Sequence, residues 1–329
     1  MTPLDVTGFM HHGIASDERI VDGDSYNSPS AGLLRGQLSY LRRRFRFVTI
    51  DELADRARND VALPERSAIL TFDDGFRSVL TRAAPVLDEL RIPAVVFVVT
   101  GTLDRSHMPW FVPFNRFLRL FGPRPLTWHG VTYDLERFAA QNAFGSAFKT
   151  EGIYPLPGPL HRPVLEQLGE ELGLSPNTID ECFAHNAGDG FDFLSPHELR
   201  ECEAAGIAVG SHSHTHASMA ALSGLDLETE ILHSQSRLRD LGVRARAFSY
   251  PDGRSGSEAR ALVRQTYDIG FGVAVPDAAW DNLPRVDLWR RSPRELWHSL
   301  GSPPRLVAWL ETKAMAIASR CGLRIHAWG

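Results

Sequence analysis

The sequence predicts an α/β fold of parallel strands and helices, and it favours a barrel over an open sheet. Apolar runs rich in Val and Ile recur without polar–apolar alternation, as expected of parallel strands that are buried on both faces. Patterns typical of amphipathic helices lie between these runs, and the strand–helix unit repeats about seven times. One long stretch, 103–192, interrupts the repeat and is predicted to be an insertion between strands 4 and 5.

The predicted strands and helices alternate along the chain. The strands are predicted at Val6–His11, Phe45–Ile50, Ser67–Asp73, Ala94–Val99, Ile207–Ser211, Ala247–Tyr250 and Phe271–Val275. The helices are predicted at Ser30–Arg44, Ile50–Asn59, Ser78–Leu90, Pro196–Ala205 and Leu227–Leu241. The helix at 196–205 has the clearest start signal, because Ser195 is a favourable N-cap, Pro196 suits the first turn and Glu198 completes a capping box.

The chain 1–329 is predicted to be a single barrel domain that carries two further segments. The insertion 103–192 holds many prolines and aromatic residues, and we expect it to pack over one end of the barrel. Most of its aromatic side chains are expected to form a small core of their own, whereas Trp110 is a candidate to line a substrate groove. The amphipathic stretch at 305–329 is predicted to be a helix packed on the outside of the barrel.

The composition is that of an ordinary globular protein with a large core, since 43% of the 329 residues are hydrophobic and 23% are charged. A net charge of −5 gives no reason to expect a nucleic-acid partner. The three cysteines show no CxxC spacing, which predicts neither a disulfide framework nor a thiolate metal site. No apolar run reaches transmembrane length, and the first residues lack the pattern of a signal peptide. We therefore expect a cytoplasmic protein, and the oligomeric state is left open.

Two adjacent carboxylates follow a predicted buried strand. The apolar run Ala68–Phe72 ends at Asp73, Asp74 and Gly75. Neighbouring acids at the end of a buried strand repel each other and resist desolvation, so they need compensation. A metal ion bound by one of them would provide it and would leave the other as a base beside a cation. The alternative is that an aspartate is the N-cap of the helix that begins near Ser78.

Three histidines fall within five positions after the predicted strand at 207–211. His212 and His216 are four residues apart and would face one side of a helical turn, which is a common chelating spacing. His214 would point elsewhere, and we expect it to be exposed or to support the ligands. The alternative is a polar loop whose histidines are incidental.

The aspartates and the histidines are expected to meet at one end of the fold. Each group lies just past the carboxyl end of a predicted parallel strand, where such folds assemble their active sites. Asp74, His212 and His216 would then form a two-histidine, one-carboxylate metal site with open positions for water and substrate. The metal would lower the pKa of its water, and Asp73 would be free to take the proton. The predicted chemistry is metal-assisted hydrolysis of an amide or an ester.

The two motifs, in this order, resemble the polysaccharide deacetylase family, also called the NodB-homology family or carbohydrate esterase family 4. The residues that carry the likeness are TFDDG at Thr71–Gly75, HSHTH at His212–His216, and the flanking segments Ala84–Leu87 and Ile92–Val95. The resemblance implies a distorted (β/α) barrel of about seven strands with a divalent metal ion, often zinc. It implies that Asp73 is the general base and that Asp74, His212 and His216 are the ligands. It also implies that Ser213 braces the loop by a hydrogen bond.

The third motif of the family departs from its usual form. Arg-x-Pro-Tyr-Gly corresponds here to SYPDG at Ser249–Gly253, so the arginine that commonly braces the base is absent. Arg285 is the predicted replacement. Asp252 stands where the family has an aromatic residue, and its backbone N–H could still bind the tetrahedral oxyanion, because that role needs no particular side chain. Tyr250 of this segment is assigned, like Trp110, to substrate binding.

The general acid is predicted to be His12. The segment FMHHG at Phe9–Gly13 resembles the histidine segment of a bacterial branch that deacetylates exopolysaccharides, where that histidine can act as the acid. A pKa near neutrality suits proton donation to a leaving amine. The alternative is a supporting or barrel-bottom histidine. A late family motif matches Leu296–His298 by its letters, but we treat that match as chance because the stretch is predicted to be helical.

The expected function is removal of an N-acyl group, acetyl or formyl, from an amino sugar in a glycan or a glycan precursor, with zinc as the expected ion. Since no leader is predicted, a nucleotide- or lipid-linked precursor fits better than a finished polymer. Two alternatives stay open: a C–N hydrolase that acts on a non-sugar amide, and a catalytically inactive carbohydrate-binding relative.

Overall fold

The computed structural model describes residues 6–15, 28–185, 190–273, 278–288 and 295–296. Its strands are β1 (Val6–His11), β2 (Arg46–Phe47), β3 (Ser67–Phe72), β4 (Ala94–Val98), β5 (Pro125–Trp128), β6 (Val131–Asp134), β7 (Ile207–Ser211), β8 (Ala247–Ser249), β9 (Ile269–Phe271) and β10 (Arg285–Asp287). Its α-helices are α1 (Ala31–Leu41), α2 (Ile50–Asn59), α3 (Ala84–Leu90), α4 (Phe111–Phe121), α5 (Phe138–Phe148), α6 (His161–Glu171), α7 (Pro176–Phe183), α8 (Pro196–Ala204), α9 (Gly224–Glu228), α10 (Ser234–Asp240) and α11 (Ser257–Thr266). Helical turns at Val79–Ala83 and Thr229–His233 lead into α3 and α10.

Seven parallel strands form a nearly closed barrel in the order β10–β1–β3–β4–β7–β8–β9. At the remaining gap, Phe271 at the end of β9 pairs in parallel with Leu283, which lies just before β10. Helices pack around this ring of strands. The predicted α/β barrel is therefore confirmed.

One of the seven barrel strands differs from the prediction. The strand predicted at 45–50 is reduced to β2, which pairs only with β3 and lies off the ring. The ring is completed instead by β10, which the sequence does not predict because Arg285–Asp287 holds a single apolar residue and shows no hydrophobic pattern. The strand predicted at 271–275 is also shifted, since β9 begins at Ile269 and ends at Phe271.

Alternate residues of the central strands divide between two hydrophobic clusters. Ile69, Val95 and Phe97 pack inside the barrel with side chains of β8 and β9. Their neighbours Leu70 and Val96 point outward and pack with side chains of α1 and α3. All six residues of β3 are buried, as expected of a strand that is covered on both faces. A strand held on both faces fixes the position of the polar residues that follow it.

The chain between β4 and α8 forms the predicted insertion. It contains the hairpin β5–β6 and the helices α4 to α7. Its buried aromatic side chains form a hydrophobic cluster apart from those of the barrel. Phe76, in the turn after β3, belongs to this cluster and stacks on Phe193 with 5.3 Å between ring centroids. The insertion is thereby attached to the turn that carries the two aspartates.

Two sequence-based expectations concern the C-terminus and membrane crossing. The predicted C-terminal helix at 305–329 lies outside the described residues. Within the described part of the chain, no helix combines the length and the apolar character that spanning a bilayer requires.

Candidate active site

The turn after β3 presents the two aspartates. Asp74 and Gly75 have positive φ angles of 72° and 78°, so the chain reverses sharply once the strand has ended. A Cβ on Gly75 would lie 2.9 Å from Cγ1 of Val98, so only glycine fits this close to β4. Neither aspartate caps the next helical segment, which begins at Val79 without a side-chain cap. The N-cap alternative is therefore not what the structure shows.

The histidine turn follows β7, which is separated from β3 by β4 alone. The expected helical geometry of this turn is wrong, because Ser213 and His216 have positive φ angles of 68° and 62°. These two left-handed residues fold the chain back on itself, so that the rings of His212 and His216 lie 4.9 Å apart between centroids. The i, i+4 spacing thus brings the two rings together in a loop, as it would in a helix.

Asp74, His212 and His216 converge between the two turns. Oδ1 of Asp74 lies 3.5 Å from Nε2 of His212 and 3.4 Å from Nε2 of His216. The three potential ligand atoms all lie within 4.8 Å of one another. Ligand atoms bonded to a tetrahedral zinc ion at about 2.0–2.2 Å would be about 3.3–3.6 Å apart. The two distances from Asp74 suit such an ion.

The hydrogen bonding of this group also fits a cation. Both carboxylate oxygens of Asp74 are buried, and Oδ1 faces the Nε2 atoms of His212 and His216. Burial would lower the pKa of His216, but the hydrogen bond and the charge of Asp74 raise it. An ionised carboxylate in that environment is costly unless a positive charge compensates it. Nδ1 of His212 lies 2.8 Å from the carbonyl oxygen of Ser249, an arrangement that assigns the proton to Nδ1 and leaves Nε2 as a lone-pair donor. Burial lowers the pKa of His212 to about 4, which favours the neutral imidazole that a metal requires.

Asp73, in contrast, is compensated by the protein itself. Arg285 donates from two guanidinium nitrogens to the two Asp73 oxygens, at 2.7 and 2.8 Å. Oγ of Ser249 donates to Asp73 at 3.2 Å and accepts from Arg285 at 2.8 Å. Ser249 stands at the position of the family's missing arginine. Its hydroxyl accepts from the guanidinium that arrives from β10. Arg285 therefore contacts Asp73 as expected, and its role as the replacement for the family's arginine stays a prediction.

The surroundings of Asp73 keep its carboxylate ionised. Burial alone would raise the pKa of Asp73, but the charge and the hydrogen bonds of Arg285 hold it well below its usual value. Nε2 of His212 lies 3.9 Å from Asp73 Oδ2. Asp73 therefore lies beside the three candidate ligands and is available as a charged base next to them.

His12 lies just beyond the end of β1, next to the aspartate turn. The backbone N–H of Asp73 donates to the carbonyl of His11 at 2.9 Å, which ties the two segments together. His12 is close enough to Asp73 for a positive charge on its ring to lower the pKa of Asp73. The structure thus brings His12 to the same end of the barrel as the other candidate residues, and its role as an acid stays a prediction.

The histidine turn is braced by one predicted and one unpredicted residue. Oγ of Ser213 accepts a hydrogen bond from the backbone N–H of His216 at 2.9 Å. Glu230, which the sequence analysis missed, is 2% exposed and accepts from the backbone N–H groups of His214 and Thr215 at 3.0 and 2.8 Å. A signal for it exists in the sequence, because Glu230 falls on the apolar face of the helical pattern at 227–241, where an acid needs a partner.

The third segment borders the site and is held by the insertion. Asp252 has a φ of 55° and lies in the bend after β8. Nζ of Lys149 lies 3.7 Å from its Oδ1, and the Tyr154 hydroxyl donates a hydrogen bond to its carboxylate. Burial would raise the pKa of Asp252, but the Lys149 and His216 charges and the Tyr154 hydrogen bond lower it. An ionised Asp252 therefore links the third segment to the insertion.

Tyr250 and Trp110, which the sequence assigns to substrate binding, are packed against other side chains, and their assignment stays a prediction. Tyr250 is fully buried, packs on Phe248 and donates its hydroxyl to the carbonyl of Asp281 at 2.8 Å. Trp110 is 3% exposed and packs edge-on against Phe114 in the core of the insertion. Both rings are packed against other side chains. The sequence could not show this, because residue type alone does not reveal which side of an element faces the core.

A parallel barrel that gathers a carboxylate and two histidines at the carboxyl ends of its strands, next to an ionised aspartate, has the parts of a metal-dependent hydrolase. The chain belongs to the polysaccharide deacetylase family, whose model matches residues 60–153 and 159–267. The family predicted from the motifs is therefore confirmed. The match runs through much of the insertion, which the motifs alone did not indicate, and Arg285 and His12 lie outside the matched residues.

Similar proteins agree with this family. Over 91 residues, the chain is 35% identical to poly-beta-1,6-N-acetyl-D-glucosamine N-deacetylase of Escherichia coli K12, an alignment that covers 27% of this chain and only 13% of that relative. Among solved structures, the Streptococcus pyogenes deacetylase PplD in complex with acetate has a TM-score of 0.57 at 17% identity and covers 90% of this chain and 98% of its own. IcaB from Ammonifex degensii has a TM-score of 0.53 at 20% identity and covers 90% and 96%. At these identities, the two structures show that the fold is shared.

Proposed function

We propose that this chain is a metal-dependent hydrolase that removes the N-acetyl group from an amino sugar of a glycan. The observation that carries the proposal is a buried carboxylate–histidine–histidine group beside an ionised aspartate, within a polysaccharide deacetylase barrel. The name of the Escherichia coli relative, a deacetylase of a polymer of N-acetyl-D-glucosamine, supports the same substrate class.

Asp74, His212 and His216 would hold the ion. One carboxylate and two imidazoles at this spacing favour zinc among the divalent metals. Bound there, zinc would lower the pKa of a water molecule and polarise the acyl oxygen of the substrate. The contact between His212 and the Ser249 carbonyl orients one ligand for this task.

Asp73 is the proposed general base. Arg285 fixes the direction of both carboxylate oxygens and keeps them ionised, so that Asp73 can accept a proton from the attacking water. The same positive charge makes Asp73 a weaker base. Proton transfer to it therefore needs a water whose own pKa is lowered, and the adjacent ligand group provides for that.

Two further residues would complete the reaction. The attack of water on the acyl carbon places negative charge on the acyl oxygen, and the backbone N–H of Asp252 is the proposed donor to it. The C–N bond then breaks, and His12 donates a proton to the leaving amine. The products are acetate and the free amino sugar.

The test is release of acetate and formate from a panel of N-acylated sugars that includes free oligomers, nucleotide-linked sugars and lipid-linked sugars. Each member is assayed with added zinc, with a chelator and with the Asp73→Asn variant. The expected result is acetate release that requires both zinc and Asp73. Formate as the main product would correct the acyl group, and a preference for linked sugars would indicate a precursor substrate.

Zinc binding without release from any member of the panel would contradict the proposal and would favour a non-sugar amide or a binding-only protein. The cytoplasmic location expected from the sequence stays a prediction, which fractionation of the native host would test.

A further inference from the structure

Two residues outside the candidate ligand set contact the histidine turn Ser213–His216 at Thr215. Glu230 lies in the helical turn that leads into α10. Gly158 lies in the insertion. We propose that Glu230 and Gly158 are positioning residues which together set where His216 stands as a metal ligand. This inference rests on the proposed metal site.

Glu230 makes a dense set of hydrogen bonds to the turn. Its Oε2 accepts from the backbone N–H groups of His214 and Thr215 at 3.0 and 2.8 Å, and its Oε1 accepts from the Thr215 hydroxyl. It also has a hydrogen bond with the side chain of Ser213. A buried carboxylate with this many donors is anchored in one orientation, and it anchors the turn in return.

The turn transmits this anchoring to His216. Oγ of Ser213 accepts from the His216 backbone N–H at 2.9 Å, and the left-handed φ angles of both residues leave few alternative backbone paths. Oγ of Ser211 accepts from the backbone N–H of Ser213 at 3.2 Å, which ties the start of the turn to β7. A shift of the backbone at Thr215 would therefore move the imidazole that follows it.

Gly158 limits the space available to Thr215 in the turn. A Cβ on Gly158 would overlap Oγ1 and Cβ of Thr215, so the backbone of the insertion lies directly against the residue that Glu230 holds. Phe111, also in the insertion, meets the His216 ring edge-on at 5.1 Å between centroids. The insertion thus forms one wall of the histidine turn, and glycine at 158 is what allows the close approach.

Residues that orient a metal ligand without touching the metal typically contribute 10- to 100-fold in metal affinity. The test measures zinc affinity of the full chain by competition with a chelator, together with the visible spectrum of the cobalt(II) form, which reports the ligand geometry. Far-UV circular dichroism of each metal-free variant checks that the fold is retained.

Glu230→Ala removes every hydrogen bond that Glu230 makes to the turn and should weaken zinc binding roughly 10- to 100-fold with a changed cobalt spectrum. Glu230→Gln keeps one oxygen for the two backbone donors, and its amide can donate to the Thr215 hydroxyl, so its loss should be smaller. Glu228→Ala is the matched control, because Glu228 is an exposed acid two residues away. It should bind zinc like the wild type.

Gly158→Ala should also weaken zinc binding and change the cobalt spectrum, because its methyl group displaces Thr215. Gly145→Ala is the matched control in the same insertion, since a Cβ there would make only ordinary contacts of 3.7 Å with Phe114. If Glu230→Ala and Gly158→Ala fold and bind zinc within twofold of their controls, the inference is wrong. If Glu230→Ala does not fold, the comparison of Glu230→Gln with Glu228→Ala decides its half of the inference.

The test of the positioning role is separate from the test of the proposed function. Zinc affinity and the cobalt spectrum are measured without any substrate. A wild type that binds zinc but releases no acyl group would contradict the function and leave the positioning role standing. If the wild type releases acyl groups but neither substitution changes zinc affinity, the proposed function is supported and the positioning role is contradicted.

Discussion

Two halves of the candidate site carry neighbouring carboxylates that are compensated in opposite ways. The Asp73 half consists of Asp73, Arg285 and Ser249, and the Asp74 half consists of Asp74, His212 and His216. The two aspartates are almost equally buried, at 3% and 1% exposure. Asp73 accepts hydrogen bonds from a guanidinium and a hydroxyl, whereas Oδ1 of Asp74 faces the Nε2 atoms of His212 and His216. The fold therefore supplies a cation to one carboxylate and leaves the other to a ligand, although residue type and burial are the same.

The largest expected effect is on turnover, in the Asp73 half. Asp73→Asn keeps the size of the side chain but removes the proton acceptor, so acyl release should fall roughly 10²- to 10⁴-fold. Zinc content should stay that of the wild type, because Asp73 is not one of the three ligands. The measurement is kcat on the best substrate of the panel, with zinc quantified in the same sample. If Asp73→Asn lost zinc together with activity, metal binding would not be confined to the Asp74 half.

A large effect on stability is expected from Arg285→Ala. This change leaves Asp73 buried without its ion-pair partner, which should lower the free energy of unfolding by about 3–5 kcal/mol. Arg285→Lys should lower it less, because a lysine keeps the charge but loses the bidentate geometry.

Denaturant unfolding of the metal-free protein measures both Arg285 variants, and Arg264→Ala provides the control. Arg264 pairs with Asp281 but is 68% exposed, so its loss should lower the free energy of unfolding by less than about 1 kcal/mol. An Arg285→Ala cost no larger than that of Arg264→Ala would contradict the assigned role of the Asp73 pair.

The smallest effect is expected from Lys149→Met, at the border of the two halves. Lys149 and Asp252 are 19% and 15% exposed and 3.7 Å apart, a weak ion pair that orients the third segment. Its loss should lower kcat at most about fivefold, equivalent to about 1 kcal/mol, with KM and zinc content unchanged. Arg162 is an exposed cation of the insertion that pairs with Glu166, so Arg162→Met should have no effect on kcat. Equal kcat values for the two variants would contradict the role of Lys149 in orienting the third segment.

Structural features that are fixed by neighbouring residues could be predicted best, because a local sequence pattern shows their physical cause. The strands predicted at 6–11 and 207–211 carry such patterns and have the predicted bounds in the structure. The capping box predicted at Ser195 and Glu198 is present. These features depend on neighbouring residues, which a sequence displays directly.

Features that depend on distant residues were harder to predict. β10 lacks a hydrophobic pattern and is defined by its partner β1, so it was missed, and Arg285 could only be guessed as a replacement. The burial of Trp110 and Tyr250 depends on which elements pack over them, and residue type does not contain that information. Glu230 was missed for the same reason, although an acid on an apolar helix face is a signal that could have been used.

The most direct test of the comparison is the shift of the melting temperature on adding zinc to the metal-free wild type, Asp73→Asn and Asp74→Asn. A ligand in 100-fold excess over its Kd stabilises the folded state by about 2.7 kcal/mol. We expect Asp73→Asn to keep most of the wild-type shift and Asp74→Asn to lose it. A shift that is lost in Asp73→Asn and kept in Asp74→Asn would contradict the division of the site into a base and a ligand.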